Sequence, residues 1–128
     1  MKSIAALLVP ALFLLGSCAG GGGSVHVPPE SIHAGKPTTL TVSFTVWGAG
    51  FGRLSRRYTD IRCHYRIVGS TSYSDIPMVP VSETSKRLEV QGVIPPLPAK
   101  AGDQLEYYFD EKFDGVYNKR VEKPVPFD

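Results

Sequence analysis

Between Thr39 and Val46 the chain alternates strictly. Leu40, Val42, Phe44 and Val46 are apolar, and Thr39, Thr41, Ser43 and Thr45 between them are polar. A period of two sends these sets to opposite faces of a strand, one buried and one wet. Ile61, Cys63, Tyr65 and Ile67 repeat the pattern against Arg62, His64 and Arg66. Leu105, Tyr107 and Phe109 repeat it again, with Glu106 and Tyr108 on the other face. Over Lys86–Ile94 the apolar positions are Leu88 and Val90, then Val93 and Ile94, so Gly92 is read as a bulge where the facing slips by one residue. Tyr73–Val81 contains Pro77 and Pro80 and is expected to be an irregular or edge strand. Val25–Val27, ahead of Pro28-Pro29, predicts a short edge strand, and Val116–Val121 predicts the last one.

Turn chemistry separates these runs. Ala34-Gly35-Lys36-Pro37, Gly69–Ser72 and Gly102-Asp103 are turn signals, and Asp114-Gly115 is a two-residue hairpin signal. No segment predicts a helix, and no internal repeat is visible. Seven or eight short strands in about 100 residues predict an all-β fold: an antiparallel two-sheet sandwich of about seven strands spanning residues 25–128. Two stretches carry a resemblance. They are Ala34-Gly35-Lys36-Pro37-Thr38-Thr39-Leu40-Thr41-Val42, and Ile94-Pro95-Pro96 followed by Ala101-Gly102-Asp103-Gln104-Leu105-Glu106-Tyr107-Tyr108-Phe109. Both resemble immunoglobulin-like and fibronectin-type-III-like domains of bacterial envelope proteins. The resemblance implies a sandwich and a tendency to bind proteins or glycans, and no particular site. A transthyretin-like sandwich or a small barrel stays open.

The amino terminus reads differently. Lys2 is followed by an almost wholly apolar run, Ile4–Leu15. A spanning helix needs roughly 20 such residues, so the run has the proportions of a signal-peptide core. Leu15-Gly16-Ser17-Cys18 follows at once and resembles the lipobox of bacterial lipoproteins. That resemblance implies a cleaved signal peptide at 1–17, diacylglycerylation of Cys18 and usually acylation of the new amino terminus. Ala19, rather than Asp, after Cys18 resembles the Gram-negative sorting pattern for the outer membrane, with the domain facing the periplasm. In a Gram-positive source the same lipid would sit on the outer face of the cytoplasmic membrane. Residues 18–24, rich in glycine, are expected to form a flexible tether.

Composition narrows the functions. The 128 residues are 42% apolar and carry a net charge of +2, too small for an electrostatic case for nucleic acid. Eleven Pro and thirteen Gly leave little room for long helices. With Cys18 lipidated, Cys63 has no partner in the chain, and its phase with Ile61 and Tyr65 places it in the core as a small hydrophobe. His26, His33 and His64 have no metal-ligand spacing and are expected to be surface or edge polar groups. No catalytic motif and no cofactor motif is present, so a non-enzymatic role is expected. Glu106, Asp110, Glu111 and Asp114 read as a solvated strand face and hairpin.

The densest chemistry lies in Gly48–Arg66, where Arg53, Arg56, Arg57, Arg62 and Arg66 face a single acid, Asp60. Phe51 and Tyr58 flank the first three arginines. Arginine and aromatic residues are enriched in interface hot spots, and loops at the end of a sandwich commonly carry recognition. Phe51, Arg53, Arg56, Arg57 and Tyr58 are therefore the candidate binding residues, for an envelope protein or for anionic lipid headgroups. Asp103–Asp114 is acidic by contrast, which suggests a domain polarised in charge. The expected function is a lipid-anchored binding or assembly module. An accessory subunit of a secretion or transport complex, or a small metal-binding or enzymatic envelope protein, are the alternatives.

Overall fold

The computed structural model describes residues 21–47 and 52–128; Cys18 and Phe51 lie outside them. In the described residues the chain forms β1 (Gly21–Val25), β2 (Thr38–Trp47), a single helical turn α1 (Leu54–Arg57), β3 (Tyr58–Ile67), β4 (Ser74–Pro77), β5 (Val79–Glu83), β6 (Arg87–Ile94), β7 (Gln104–Phe113), β8 (Val116–Val121) and β9 (Val125–Pro126). They make two antiparallel sheets, ordered β1-β2-β6-β5 and β4-β3-β7-β8, with β9 continuing on β7. In the lettering of immunoglobulin folds this is A-B-E-D packed on C′-C-F-G. The strand count exceeds seven because the β4–β5 run and the final edge strand are each divided.

The periodic runs become the central strands. Leu40, Val42 and Phe44 of β2 and Leu88, Val90 and Ile94 of β6 line one inner face. Ile61, Cys63 and Tyr65 of β3 and Leu105, Tyr107 and Phe109 of β7 line the other. Tyr73–Val81 behaves as its prolines require. It pairs with β3 as edge strand β4, crosses between the sheets at buried Met78, and pairs with β6 as edge strand β5. The Met78 N–H donates to the Ile61 carbonyl at 2.9 Å and fixes the crossing.

Three expectations need correction. The facing does not slip at Gly92. Gly92 pairs in register with Leu40, Val93 points outward, and Ile94 keeps the inner phase. Glycine is needed there for space, because a β-carbon would lie 2.5 Å from the Met78 sulfur. The slip occurs instead in β3, where the register against β7 shifts between Thr59 and Arg62 and Asp60 takes φ 52°. Asp tolerates this left-handed conformation better than most residues, and the bulge turns both Tyr58 and Ile61 inward. Second, Gly21–Ser24 do not belong to a tether. They form most of β1, antiparallel to Ser43–Trp47. Gly22 faces the sandwich interior, and a β-carbon there would overlap the Tyr58 phenol oxygen, so the strand accepts only glycine at that point. Third, Leu54–Arg57 is helical for one turn, because buried Leu54 draws the loop back onto the core.

The amino-terminal segment serves both sheets. After β1 the prolines Pro28-Pro29 end the pairing with β2. Ile32 then forms a parallel bridge with Phe127 on the other sheet. The Ile32 N–H donates to the Pro126 carbonyl and the Asp128 N–H donates to the Ile32 carbonyl, each at 3.0 Å.

Candidate functional site

The arginine-rich segment is built as a joint between hairpins. Arg57 donates from Nε and Nη2 to the two carboxylate oxygens of Asp114, at 3.0 and 2.8 Å, and its guanidinium lies 4.9 Å above the Phe113 ring. That forked hydrogen bond holds the Asp114 carboxyl below its ordinary pKa. The Asp114 N–H returns a bond to the Arg57 carbonyl at 2.8 Å. Asp114 and Gly115 take φ 50° and 82°, as a type I′ hairpin turn requires. Arg53 reaches Glu83 at 3.5 Å, and the Ser55 N–H donates to the same carboxylate at 3.2 Å; the Ser55 bond is the main reason Glu83 titrates below its usual value. Arg56 is exposed and has no acidic partner among the described residues.

Tyr58 is not a surface residue. It is buried at the start of β3, with its ring 4.4 Å from Phe44 and 4.5 Å from Phe113. Its hydroxyl donates to the Thr45 carbonyl at 3.0 Å, and burial raises its pKa to about 12. Of the five predicted binding residues, the structure leaves Arg53 and Arg56 accessible, ties Arg57 into the hairpin and buries Tyr58. Phe51 falls outside the described residues.

The expected charge polarisation is replaced by interleaving, because β3 and β7 are neighbours. Arg66 pairs with Glu106, His64 Nε2 meets Asp110 at 3.0 Å, and Arg62 reaches Asp75 on β4. On this outward face the aromatic rings stand between the charged pairs. Tyr108 stacks on His64 at 4.5 Å, meets Tyr73 edge-on at 5.2 Å and carries the Lys119 ammonium 4.2 Å above its ring. The Arg66 guanidinium covers Tyr73, and the exposed Tyr117 donates its hydroxyl to Asp110 at 3.0 Å. Tyr73, Tyr108, Tyr117, His64 and Lys119 thus form one pre-ordered aromatic and charged platform. The outward phase of His64 and Tyr108 was legible. Tyr73 and Tyr117 join them only through strand order, which periodicity does not reveal.

Two polar residues turn inward where solvent-facing positions were expected. His26 is 6% exposed. Its Nδ1 lies 2.7 Å from the Thr41 carbonyl, which can only accept, so Nδ1 carries the proton. Nε2 is then free to accept from the Tyr107 hydroxyl at 2.8 Å. Glu111 is 8% exposed, and burial followed by the nearby Asp110 charge raises its pKa to about 7. Its signal was present in the sequence, since Glu111 continues the inward phase Leu105, Tyr107, Phe109. It lines a cleft of about 220 Å³ between β1 and β8, floored by Phe44, Tyr58 and Phe113.

Cys63 is fully buried, and burial pushes its thiol up to about 12. Among the described residues, no three His, Cys, Asp or Glu side chains gather as a metal site. No protein-family model matches the chain, and no curated protein matches it.

Proposed function

We propose that the chain is a lipid-anchored lipoprotein of the cell envelope whose immunoglobulin-like sandwich serves as a non-enzymatic binding or assembly module. The observation that carries this reading is the outer face of the β4-β3-β7-β8 sheet. There Tyr108 and Tyr117 on strands, and Tyr73 just ahead of β4, are held between ion pairs. Tyrosine and arginine contribute most to interface hot spots, and side chains already ordered by their neighbours lose little freedom on binding. The partner is an envelope protein rather than nucleic acid.

The Leu15-Gly16-Ser17-Cys18 pattern supports attachment through Cys18, in the outer membrane and facing the periplasm of a Gram-negative cell. Two or three acyl chains suffice for stable anchoring. With β1 starting at Gly21, the slack after Cys18 is three Cα steps, at most about 11 Å. The domain would sit close to the bilayer with its β1 start downward. Trp47, 50% exposed, pairs with Gly21 at that end, and Arg53 and Arg56 follow it. An amphipathic indole and exposed arginines suit an anionic headgroup layer.

Two measurements test the reading. Cys18→Ala should abolish labelling by a fatty-acid analogue and release the domain from membranes; undiminished labelling would sink the anchor. A Tyr73→Ala, Tyr117→Ala double variant should keep its melting temperature and lose the proteins recovered with the wild type from solubilised membranes. Unchanged recovery would remove the platform from consideration.

A further inference from the structure

The cleft between β1 and β8 has a composition that points to one class of ligand. Gly22, Gly23 and Ser24 form one wall, where Gly22 lets the backbone lie against the Tyr58 phenol. Phe44, Tyr58 and Phe113 form an aromatic floor, and Glu111, Asn118 and Arg120 form the opposite wall. Glu111 is the informative group. It is more than nine-tenths buried, it borders the cleft, and no cation pairs with it among the described residues. A carboxylate shielded from water and without a counter-charge is costly, and it gains more than an exposed one from an arriving cation.

The neighbours do not supply that cation. Arg120 also faces inward from β8, but its guanidinium is committed to Glu122 at 2.7 Å and to the Ser24 carbonyl at 2.6 Å. Lys119 sends its ammonium to the outer face, over Tyr108. From β3 the group nearest in chemistry is the Tyr58 phenol, which is neutral below about 12. Asn118, opposite Glu111 on β8, is its hydrogen-bonding neighbour. β1 and β2 contribute Ser24 and Phe44, which do not titrate. Asp110, next along β7, only adds negative charge.

We propose that this cleft binds a primary alkylammonium group, its charge against Glu111 and its methylenes over Phe44, Tyr58 and Phe113. The volume, about 220 Å³, is below that of sites for drug-sized ligands and suits one short aliphatic chain. Aromatic faces favour a cation over an anion, and Arg120 on the same wall is already satisfied by Glu122 and Ser24. The same chemistry can arrive as a lysine side chain of a partner protein or as a free small amine. The site stands whether or not the chain is lipid-anchored.

Binding and protonation must then be linked. A bound ammonium favours the ionised carboxyl, so the Glu111 midpoint should fall from about 7 toward the ordinary range when the cleft is occupied. Affinity should be steady above that midpoint and drop about tenfold for each pH unit below it. The test is a titration of the whole protein carrying carbon-13 glutamate, followed by carboxyl NMR. It is run alone, with n-butylamine, with Nα-acetyl-lysine N-methylamide, and with n-butanol as the uncharged analogue. The two amines should lower the one high midpoint, and n-butanol should not. Tighter binding of the blocked lysine than of butylamine identifies a protein side chain as the source; equal binding identifies a free amine. Glu111→Gln should stay folded, melting no lower than the wild type, and lose amine binding by at least tenfold. If the wild-type midpoint is unmoved by either amine, or if n-butanol moves it equally, the proposal is overturned. This wild-type measurement stands even if the variant does not fold.

Discussion

Glu111 is the residue at which packing and charge conflict. Its pKa is raised from the ordinary 4.5 to about 7, so the folded state holds the proton more tightly than the unfolded state. Below about pH 4.5 both states are protonated and the group imposes no penalty. Between about pH 4.5 and 7 the unfolded state gives up the proton that the folded state keeps, so stability falls across that window and levels off above 7, by up to about 3 kcal/mol in total. Glu111→Gln should therefore be more stable than the wild type at pH 8 and indistinguishable from it near pH 4, in denaturant titrations at both pH values. Gly22 offers a complementary case of steric conflict. Gly22→Ala should cost about 1–3 kcal/mol by overpacking against Tyr58. The cost should shrink in a Tyr58→Phe background, where the phenol oxygen is gone; equal costs in both backgrounds would deny the contact. Cys63 should resist alkylation in the folded protein and react on unfolding, since its thiol is buried and titrates only near 12. The inward phase of Cys63 was legible from its own strand. That of His26 was not, because the register of a glycine strand against β2 has no hydrophobic period to reveal it.

At the scale of elements, the central strands were legible and the joints between them were not. β2, β6, β3 from Ile61 onward and β7 from Leu105 to Phe109 each carry an alternating apolar face, which fixes register because a slip of one residue would invert every side chain. The hairpin at Asp114-Gly115 was legible for a separate reason, as only such residues accept its two positive φ angles. The arginine segment misled because charge density along the chain says nothing about partners across strands. Arg57 and Asp114 are far apart in sequence and meet only once β3 lies beside β7. Arg57→Ser should consequently lower the melting temperature and loosen the β7–β8 turn, seen as faster amide exchange at Val116 and Tyr117. Arg56→Ser, without a partner to release, should leave both unchanged. Replacing Arg53, Arg56 and Arg57 together would mix a structural loss with any loss of recognition, and single variants separate them.

Across the molecule, the two sheets are joined at opposite corners. Met78 carries the chain from one sheet to the other in mid-sequence, and the segment through Pro28-Pro29 does so at the amino end. Emptying the core between them should be expensive: Phe44→Ala is expected to cost about 3–5 kcal/mol in chemical denaturation. Removing Val125–Asp128 should cost about 2–5 kcal/mol, because Val125 and Phe127 are both buried; a loss under about 1 kcal/mol would show that β9 is dispensable. The bridge from Ile32 to Phe127 also bears on the order of events during folding. A chain delivered amino end first, from a ribosome or an export channel, can pair β1 with β2 early. It cannot close Ile32 against Phe127 until its final residues have emerged, and contacts of such long sequence separation form slowly. The segment around Ile32 must therefore wait, open to other chains or to proteases, until Phe127 arrives.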